Sequence, residues 1–175
     1  MTKIRKYGTD NPFSDWLRKQ PELDSQRGFG VTDIDYAVLK YKIRMSDGAY
    51  RFDFKAMLHV EIKTNDAVPY GCQLENLWFQ HQVLTKDPCV AATDRFDRDR
   101  FVFHFGVGFV RCMFDRPDDG GRIHWGRFDG SADRIRWFEL DEQQLIDVLA
   151  LQTYPDEPLQ TLEPDFYTYH AGNLC

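Results

Sequence analysis

Glu61 and Lys63 are the residues of this chain best placed to do chemistry. They lie two positions apart at the end of a strand-like run, and because side chains alternate along a β-strand, both project from the same face. A hairpin with the preceding strand-like run brings a second carboxylate, Asp35 or Asp33, beside them. Two carboxylates next to an ammonium group make an oxygen-ligand site typical of a hard divalent cation. The sequence therefore predicts a metal site on one face of a sheet, with an exposed pair of opposite charges as the alternative.

Hydrophobic periodicity predicts the elements that must position this site. A period of two indicates strands, and apolar residues three and four positions apart indicate helices. In chain order the predicted elements are a helix at 13–18, strands at 31–43 and 50–64, a helix at 72–84, strands at 101–110 and 122–128, and a helix at 140–151. Asp47-Gly48 favours a hairpin between the first two strands, and Asp141 is expected near the cap of the last helix. This order predicts an α+β (mixed α/β) fold, with helices on both faces of a central mixed sheet.

Two apolar segments carry more detailed predictions. The aromatic run at 101–109 alternates at period two and is expected to be core rather than a base-stacking platform. Gly106 and Gly108 within it indicate a β-bulge or a close approach by another backbone. The apolar side predicted for the helix at 72–84 consists of Leu74, Leu77, Trp78 and Val83.

Length and composition predict one domain over residues 1–175, with core elements at about 13–128, the helix at 140–151 and a tail at 152–175. The net charge of −6 is unlike that of a general nucleic-acid binder, although a local cluster of Lys and Arg would still serve a nucleic-acid site. The four cysteines are scattered and are expected to be isolated reduced thiols. The polar beginning and the lack of a long apolar run predict a cytoplasmic protein that does not cross a membrane.

The pattern of Asp35, a hairpin return and then Glu61-Ile62-Lys63 resembles the PD-(D/E)xK nuclease superfamily, which has the restriction-endonuclease-like fold. That family has an Asp near the start of one strand and Glu-x-Lys on the next, separated by a variable loop. The gap between Asp35 and Glu61 is 26 positions (61 − 35). The chain departs from the pattern at Ile34, which stands where the proline of the name would be.

Further residues add to the resemblance, which covers about residues 13–84. Gln73, 12 positions after Glu61 (73 − 61), is similar to the Gln that begins the next helix in virus-type replication-repair and Holliday-junction-resolvase-like branches. Glu22 matches an additional acidic residue that some branches carry near their first helix. The segment Thr32-Asp33-Ile34-Asp35-Tyr36 also resembles short, uncharacterised phage proteins.

The resemblance implies a site in which Asp35, Glu61 and the backbone carbonyl of Ile62 bind Mg²⁺ or Mn²⁺. It implies that Lys63 orients or deprotonates the attacking water, or stabilises developing charge, and that Gln73 positions the water or the scissile phosphate. Asp33 and Glu22 are further candidate ligands. Asp33 shares a face with Asp35 and is the competing choice for the same position.

Basic side chains in two segments are candidates for following a phosphate backbone. These are Lys40, Lys42, Arg44, Arg95, Arg98 and Arg100. Because Arg98 and Arg100 alternate with Asp97 and Asp99, a self-neutralised surface is the alternative for the second segment. His59 shares the face of Glu61 and is expected to be a packing or hydrogen-bonding residue.

The prediction is a Mg²⁺-dependent nuclease that acts on DNA, encoded by a phage or mobile element, with a homodimer as an open question. Two alternatives stay open. One is an inactive nuclease-like module that binds nucleic acid or a host protein. The other is an acidic inhibitor that mimics DNA, suggested by the net charge and by the Asp-rich stretches at 94–99 and 115–119.

Overall fold

The computed structural model describes residues 12–17, 19–23, 29–32, 37–46, 49–93 and 99–163. The helices are α1 (Pro12–Leu17), α2 (Gly71–Lys86) and α3 (Glu142–Leu149), with single 3-10 turns at Pro21–Leu23 and Pro117–Asp119. The strands are β1 (Phe29–Thr32), β2 (Ala37–Ser46), β3 (Ala49–Lys63), β4 (Cys89–Thr93), β5 (Asp99–Cys112), β6 (Ile123–Phe128), β7 (Ile135–Leu140), β8 (Thr153–Tyr154) and β9 (Glu157–Thr161).

Strands β1 to β7 form one mixed sheet in the order β1-β2-β3-β5-β6-β7, with β4 paired to the first half of β5. Among the strand pairs that the structure describes, only β3 and β5 are parallel, and the connection between them contains α2, as a parallel crossover requires. The other pairs in this sheet are antiparallel. The predicted α+β fold, with a mixed central sheet flanked by helices, is confirmed.

The helices cover opposite faces of the sheet. On one face, here called the α3 face, α1 and α3 pack on alternate residues of β3, namely Ala56, Leu58 and Val60. The other face, the α2 face, has a smaller apolar cluster in which Leu77 of α2 packs with Val107 and Phe109. Since β3 side chains alternate, Met57, His59, Glu61 and Lys63 project towards the α2 face.

The α3 helix begins where the sequence predicted a cap. The Asp141 side chain accepts a hydrogen bond from the backbone N–H of Gln144, and the Gln144 side chain accepts one from the backbone of Asp141. This reciprocal capping box satisfies two N–H groups at the start of the helix. Trp16 of α1, fully buried, donates from Nε1 to Glu142 at 2.7 Å and ties the two helices together.

The single strand predicted at 31–43 is wrong, because two antiparallel strands occupy that stretch. Thr32 at the end of β1 pairs with Ala37 at the start of β2, so the chain reverses between them. Ile34, Tyr36 and Ala37 continue the strand-like pattern of the sequence and concealed this reversal, although Asp33 and Asp35, which favour turns, stand between the two strands. The hairpin predicted at Asp47-Gly48 is confirmed by the pairing of Ser46 with Ala49.

The bulge predicted in the aromatic run is confirmed at Gly106. Met57 pairs with His104 and His59 with Val107, so β5 carries one more residue than β3 between these pairs. Gly106 has a φ of 73°, and a Cβ added there would lie 2.6 Å from Nδ1 of His81 on α2. The bulge breaks the alternation: Phe103 and Phe105 pack on the α3 face, whereas the following alternate residues turn to the α2 face.

Arg127 of β6 supports the bulge from within the core. Its side chain is 2% exposed, and its guanidinium donates to the carbonyls of Phe105 at 2.5 Å and Val107 at 2.9 Å. Its Nε donates to Asp156 at 2.7 Å, in the turn between β8 and β9. The planar Arg127 guanidinium thereby connects the two carbonyls on either side of the bulge to the hairpin of β8 and β9.

Three other sequence predictions require correction. Val83 is 58% exposed, because the inward positions of α2 after Leu77 are taken by His81 and Thr85, which approach Gly106. Residues 153–161 form a hairpin of β8 and β9 rather than an extended tail. Cys72 and Cys112 are free thiols, but Cys89 is disulfide-bonded, so the expectation of isolated thiols is wrong there.

Candidate active site

Glu61, Lys63 and Gln73 form a closed triangle of hydrogen bonds, here called the Glu61 cluster. Lys63 donates from Nζ to Oε1 of Glu61 at 2.5 Å and to Oε1 of Gln73 at 3.1 Å. Gln73 donates from Nε2 to the same Oε1 of Glu61 at 2.5 Å. A carboxylate, an ammonium group and an amide are therefore held together by direct contacts.

Two elements position the Glu61 cluster. Strand alternation at the end of β3 directs Glu61 and Lys63 to the same face. Helix α2 begins at Gly71, whose φ of 54° suits glycine, so Gln73 lies in the first turn of the helix. The connection between β3 and α2 is short, which places this turn beside the end of β3. Nonlocal packing of α2 on β5 completes the arrangement.

The Glu61 carboxylate is buried and only half satisfied. The residue is 4% exposed, and its Oε2 has no hydrogen-bond partner. The interpretation of Glu61 and Lys63 as an exposed charge pair is therefore wrong for Glu61. An ionised carboxylate withdrawn from water is strongly destabilised unless donors or a cation meet both oxygens. Oε2 is thus an unpaired carboxylate oxygen, which is the donor type that hard divalent cations prefer.

The other predicted metal ligands are placed as follows. Asp33 and Asp35 lie outside the described residues. Glu22 lies in the 3-10 turn Pro21–Leu23, whose Leu23 packs on the α3 face, so the described contacts do not bring Glu22 to Glu61. The side chain of Ile62 also packs on the α3 face, and the role of its carbonyl stays a prediction. In the part of the chain that the structure describes, three His, Cys, Asp or Glu side chains do not cluster as a ligand set.

The predicted DNA-contacting residues are only partly described. Lys40 donates from Nζ to the carbonyl of Leu151 at 2.9 Å, which commits one of its three N–H donors to the protein. Lys42, Arg44 and Arg100 lie within strands, but their side chains are outside the description. Arg95 and Arg98 lie outside the described residues. Their roles in nucleic-acid binding stay predictions.

His59, on the same face as Glu61, lies with its Nε2 3.3 Å from Sδ of Met57. Burial lowers the pKa of His59 below its ordinary value, so the ring is neutral near pH 7. His104 pairs with Met57 across the sheet, and burial, with His59 nearby, lowers the pKa of His104 as well. Neutral packed rings agree with the expectation of a packing or hydrogen-bonding role for His59.

Sequence reasoning missed Arg111 and His124, which lie on the same face as the Glu61 cluster. Arg111 pairs with Lys63 across the parallel strands β3 and β5, and His124 of β6 pairs with Arg111. The Arg111 guanidinium stacks 4.9 Å from the ring centroid of Trp137. Arg111 follows directly after the predicted strand at 101–110, but only the parallel register could have shown that it neighbours Lys63.

Among the helices that the structure describes, none is both long and apolar enough to cross a membrane. Comparison of this chain with protein-family models, curated proteins and solved structures found no match.

Proposed function

We propose that this protein is a phosphodiesterase that cleaves DNA with Mg²⁺ or Mn²⁺ bound beside Glu61. The observation that carries the proposal is the buried Glu61 carboxylate, whose Oε1 accepts two short hydrogen bonds while its Oε2 accepts none. A buried acceptor without a partner costs about 1–3 kcal/mol, and more when it is charged. A divalent cation at Oε2 removes this cost, which supports a metal site at this atom.

Asp35 is the proposed second carboxylate ligand. The start of β2 supports it: Ala37, the first residue of β2, pairs with His59, which is two positions before Glu61 on β3. Asp35 stands two positions before Ala37 in the sequence. Asp33, in the same connection between β1 and β2, is the competing choice. The Ile62 carbonyl would supply a third oxygen. Few carboxylates together with water and phosphate oxygens are the ligands that Mg²⁺ prefers.

The chain's own residues would act on the water and the phosphate. When bound, the cation lowers the pKa of the attacking water and offsets negative charge on the phosphate. Lys63 donates to Glu61 at 2.5 Å and to Gln73 at 3.1 Å, which leaves one of the three N–H donors of an ammonium group for a water or a phosphate oxygen. It would thus orient the water and stabilise developing negative charge rather than accept a proton.

Gln73 is a positioning residue in this mechanism. Its amide donates to Glu61 and accepts from Lys63, so both of its polar ends are used within the Glu61 cluster. This contact fixes the rotation of the carboxylate and keeps Oε2 separate from the donors at Oε1. We therefore expect Gln73 to affect the rate less than either charged residue, as outer partners of metal ligands usually do.

The test is cleavage of plasmid and linear DNA with MgCl₂, MnCl₂ or EDTA present. We expect divalent-dependent cleavage by the wild type, a loss of at least about 100-fold in Glu61→Gln and Lys63→Met, and a loss of about 10-fold in Gln73→Met. The matched controls are Glu157→Gln and Lys86→Met, which change exposed charges elsewhere in the described chain. They should cleave like the wild type.

Two results would contradict the proposal. Cleavage by Lys63→Met at the wild-type rate would show that the assigned site is wrong. If the wild type cleaves neither DNA nor RNA with either metal, the protein is not a nuclease. Binding to DNA without cleavage would then favour the inactive module, and binding to a DNA-binding protein would favour the DNA mimic.

A further inference from the structure

Arg111 and His124 extend the charged end of the α2 face by two strands beyond Lys63. Paired residues on neighbouring strands are about 5 Å apart, so Lys63, Arg111 and His124 form a row perpendicular to the strands. Their side chains share one face, because Arg111 stacks on Trp137, which belongs to the apolar cluster beneath α2. A group bound beside Glu61 would therefore meet this row next.

Arg111 is held in place by Trp137, while one of its nitrogens, Nε, has no hydrogen-bond partner. The guanidinium lies over the Trp137 ring, with Cζ 4.9 Å from the ring centroid, and this cation–π contact restrains the side chain. Nε is buried and has no hydrogen-bond partner. Asp66 is the nearest described carboxylate, but its Oδ1 lies 3.7 Å from Nε, too far for a hydrogen bond. The side chain is 23% exposed, so a ligand can still reach it.

His124 offers a second unsatisfied group beside Arg111. Its Nδ1 is buried and has no hydrogen-bond partner. Burial, with the nearby Arg111 as a second cause, lowers the pKa of His124, so the ring is neutral near pH 7 and carries one N–H donor. Two neighbouring buried nitrogens without partners are unusual, since most buried polar atoms are paired.

We infer that Arg111 and His124 form a phosphate-binding subsite that holds a non-scissile phosphate of a nucleic-acid backbone next to the Glu61 cluster. This inference rests on the proposed function, which supplies a phosphodiester chain at that place. A phosphate group presents several acceptor oxygens, and the fork of an arginine binds two of them at once. Such a ligand would bind the exposed part of the Arg111 side chain, with His124 on the neighbouring strand beside it.

Binding without cleavage tests the subsite separately from the chemistry. A fluorescein-labelled DNA oligonucleotide is titrated with protein in EDTA, and fluorescence anisotropy is recorded at several salt concentrations. We expect Arg111→Gln to weaken binding about 10-fold and to lower the salt slope by about 1, as the loss of one phosphate contact should. Arg134→Gln, which removes an exposed charge near the opposite end of the strands, is the matched control and should bind like the wild type.

Arg111→Lys and His124→Ala extend the test, with circular dichroism and thermal melting to verify folding. Lysine keeps the charge but loses the fork, so we expect the salt slope to be retained and the affinity to fall about 3-fold. Unchanged binding by Arg111→Gln, or an equal loss in Arg134→Gln, overturns the subsite. A third result would also overturn the subsite: the wild type binds inorganic phosphate tightly, but saturating phosphate leaves its affinity for the oligonucleotide unchanged. The ligand of Arg111 and His124 would then be a free anion.

The outcomes separate the subsite from the proposed catalysis. If the wild type cleaves DNA but Arg111→Gln binds and cleaves normally, the subsite is wrong and the nuclease stands. If no cleavage occurs but Arg111→Gln loses DNA binding selectively, the subsite stands and the nuclease is wrong. If the nuclease and the subsite are both correct, Arg111→Gln should raise KM and leave kcat within about 3-fold of the wild-type value. The reason is that a contact to a non-scissile phosphate is made equally in the bound substrate and in the transition state.

Discussion

The two faces of the central sheet differ in how completely their polar groups are satisfied. The α3 face joins α1, α3 and five strands in one large apolar cluster, where Leu145, Val148 and Leu149 are at most 1% exposed. The α2 face has three buried apolar residues, with four partly buried ones packed against them. Of the five buried side-chain polar atoms that lack a partner among the described residues, four lie on the α2 face. These atoms belong to Glu61, His104, Arg111 and His124.

This difference suggests that the two faces of the sheet have different roles. Unsatisfied polar groups destabilise a fold, so they persist where a ligand or a reaction uses them. The α3 face contributes the apolar burial that offsets this cost. The bulge at Gly106 allows β5 to contribute side chains to the apolar clusters on both faces. Alternate residues before the bulge pack on the α3 face, and those directly after it pack on the α2 face. The predictions below test this comparison, in order of decreasing effect.

Truncation of a core leucine should be most harmful on the α3 face. Leu145→Ala removes a fully buried side chain and should lower the free energy of unfolding by about 2–5 kcal/mol. The matched variant is Leu77→Ala, in a residue that is 8% exposed in a much smaller cluster, and it should cost less than half as much. Urea unfolding followed by circular dichroism measures both values. Equal losses would show that the two faces contribute alike to stability.

Replacement of Arg127 should destabilise the β-bulge at Gly106. Arg127→Met keeps much of the apolar side chain but deprives the carbonyls of Phe105 and Val107 of their donor, so we expect a loss of about 2–3 kcal/mol. Hydrogen exchange should show the amide of Val107 exchanging faster. Asp156→Asn, which removes only the mostly exposed partner of Arg127, should cost under about 1 kcal/mol. A loss in Asp156→Asn as large as that in Arg127→Met would contradict the assigned role.

The α2 face should weaken selectively in acid because of His81. Burial, and secondarily Arg127, lower the pKa of His81 from 6.5 to about 4, while Val107 donates its N–H to Nδ1 at 3.2 Å. The folded-state pKa lies below the unfolded value, so this stability is fully present above pH 6.5 and is lost as the pH falls towards 4.

We expect this loss to amount to about 1–2 kcal/mol, after a discount for solvent screening of a partly buried ring. The measurement is the urea midpoint between pH 7 and pH 4.5 in the wild type and in His81→Asn. Asparagine can still accept the Val107 N–H but does not titrate, so its midpoint should depend less on pH. Parallel curves for the two proteins would refute the assignment.

Divalent cations should stabilise the protein through the α2 face alone. At ten times the dissociation constant, a ligand of the folded state adds about 1.4 kcal/mol. Addition of Mn²⁺ in a thermal melt should therefore raise the Tm of the wild type and of Leu145→Ala, but not that of Glu61→Gln. Glu157→Gln is the charge-matched control and should respond like the wild type. A full response in Glu61→Gln would place the metal elsewhere.

Local signals in the sequence determined much of the fold and part of the site. Alternation along the strand at 50–64 put Glu61 and Lys63 on one face, Asp47-Gly48 specified a hairpin, and Asp141 marked the start of α3. These features depend on residues that are close in sequence, so periodicity and turn chemistry are enough to predict them.

Only the tertiary structure decided which strand lies beside Glu61 and Lys63. The parallel pairing of β3 with β5 brings Arg111 next to Lys63, and the antiparallel pairing with β6 adds His124. Strand order and register depend on burial and chain closure over long separations, which no local pattern encodes. The burial of Glu61 has the same origin, because α2 must pack across β5 before Gln73 can reach the carboxylate.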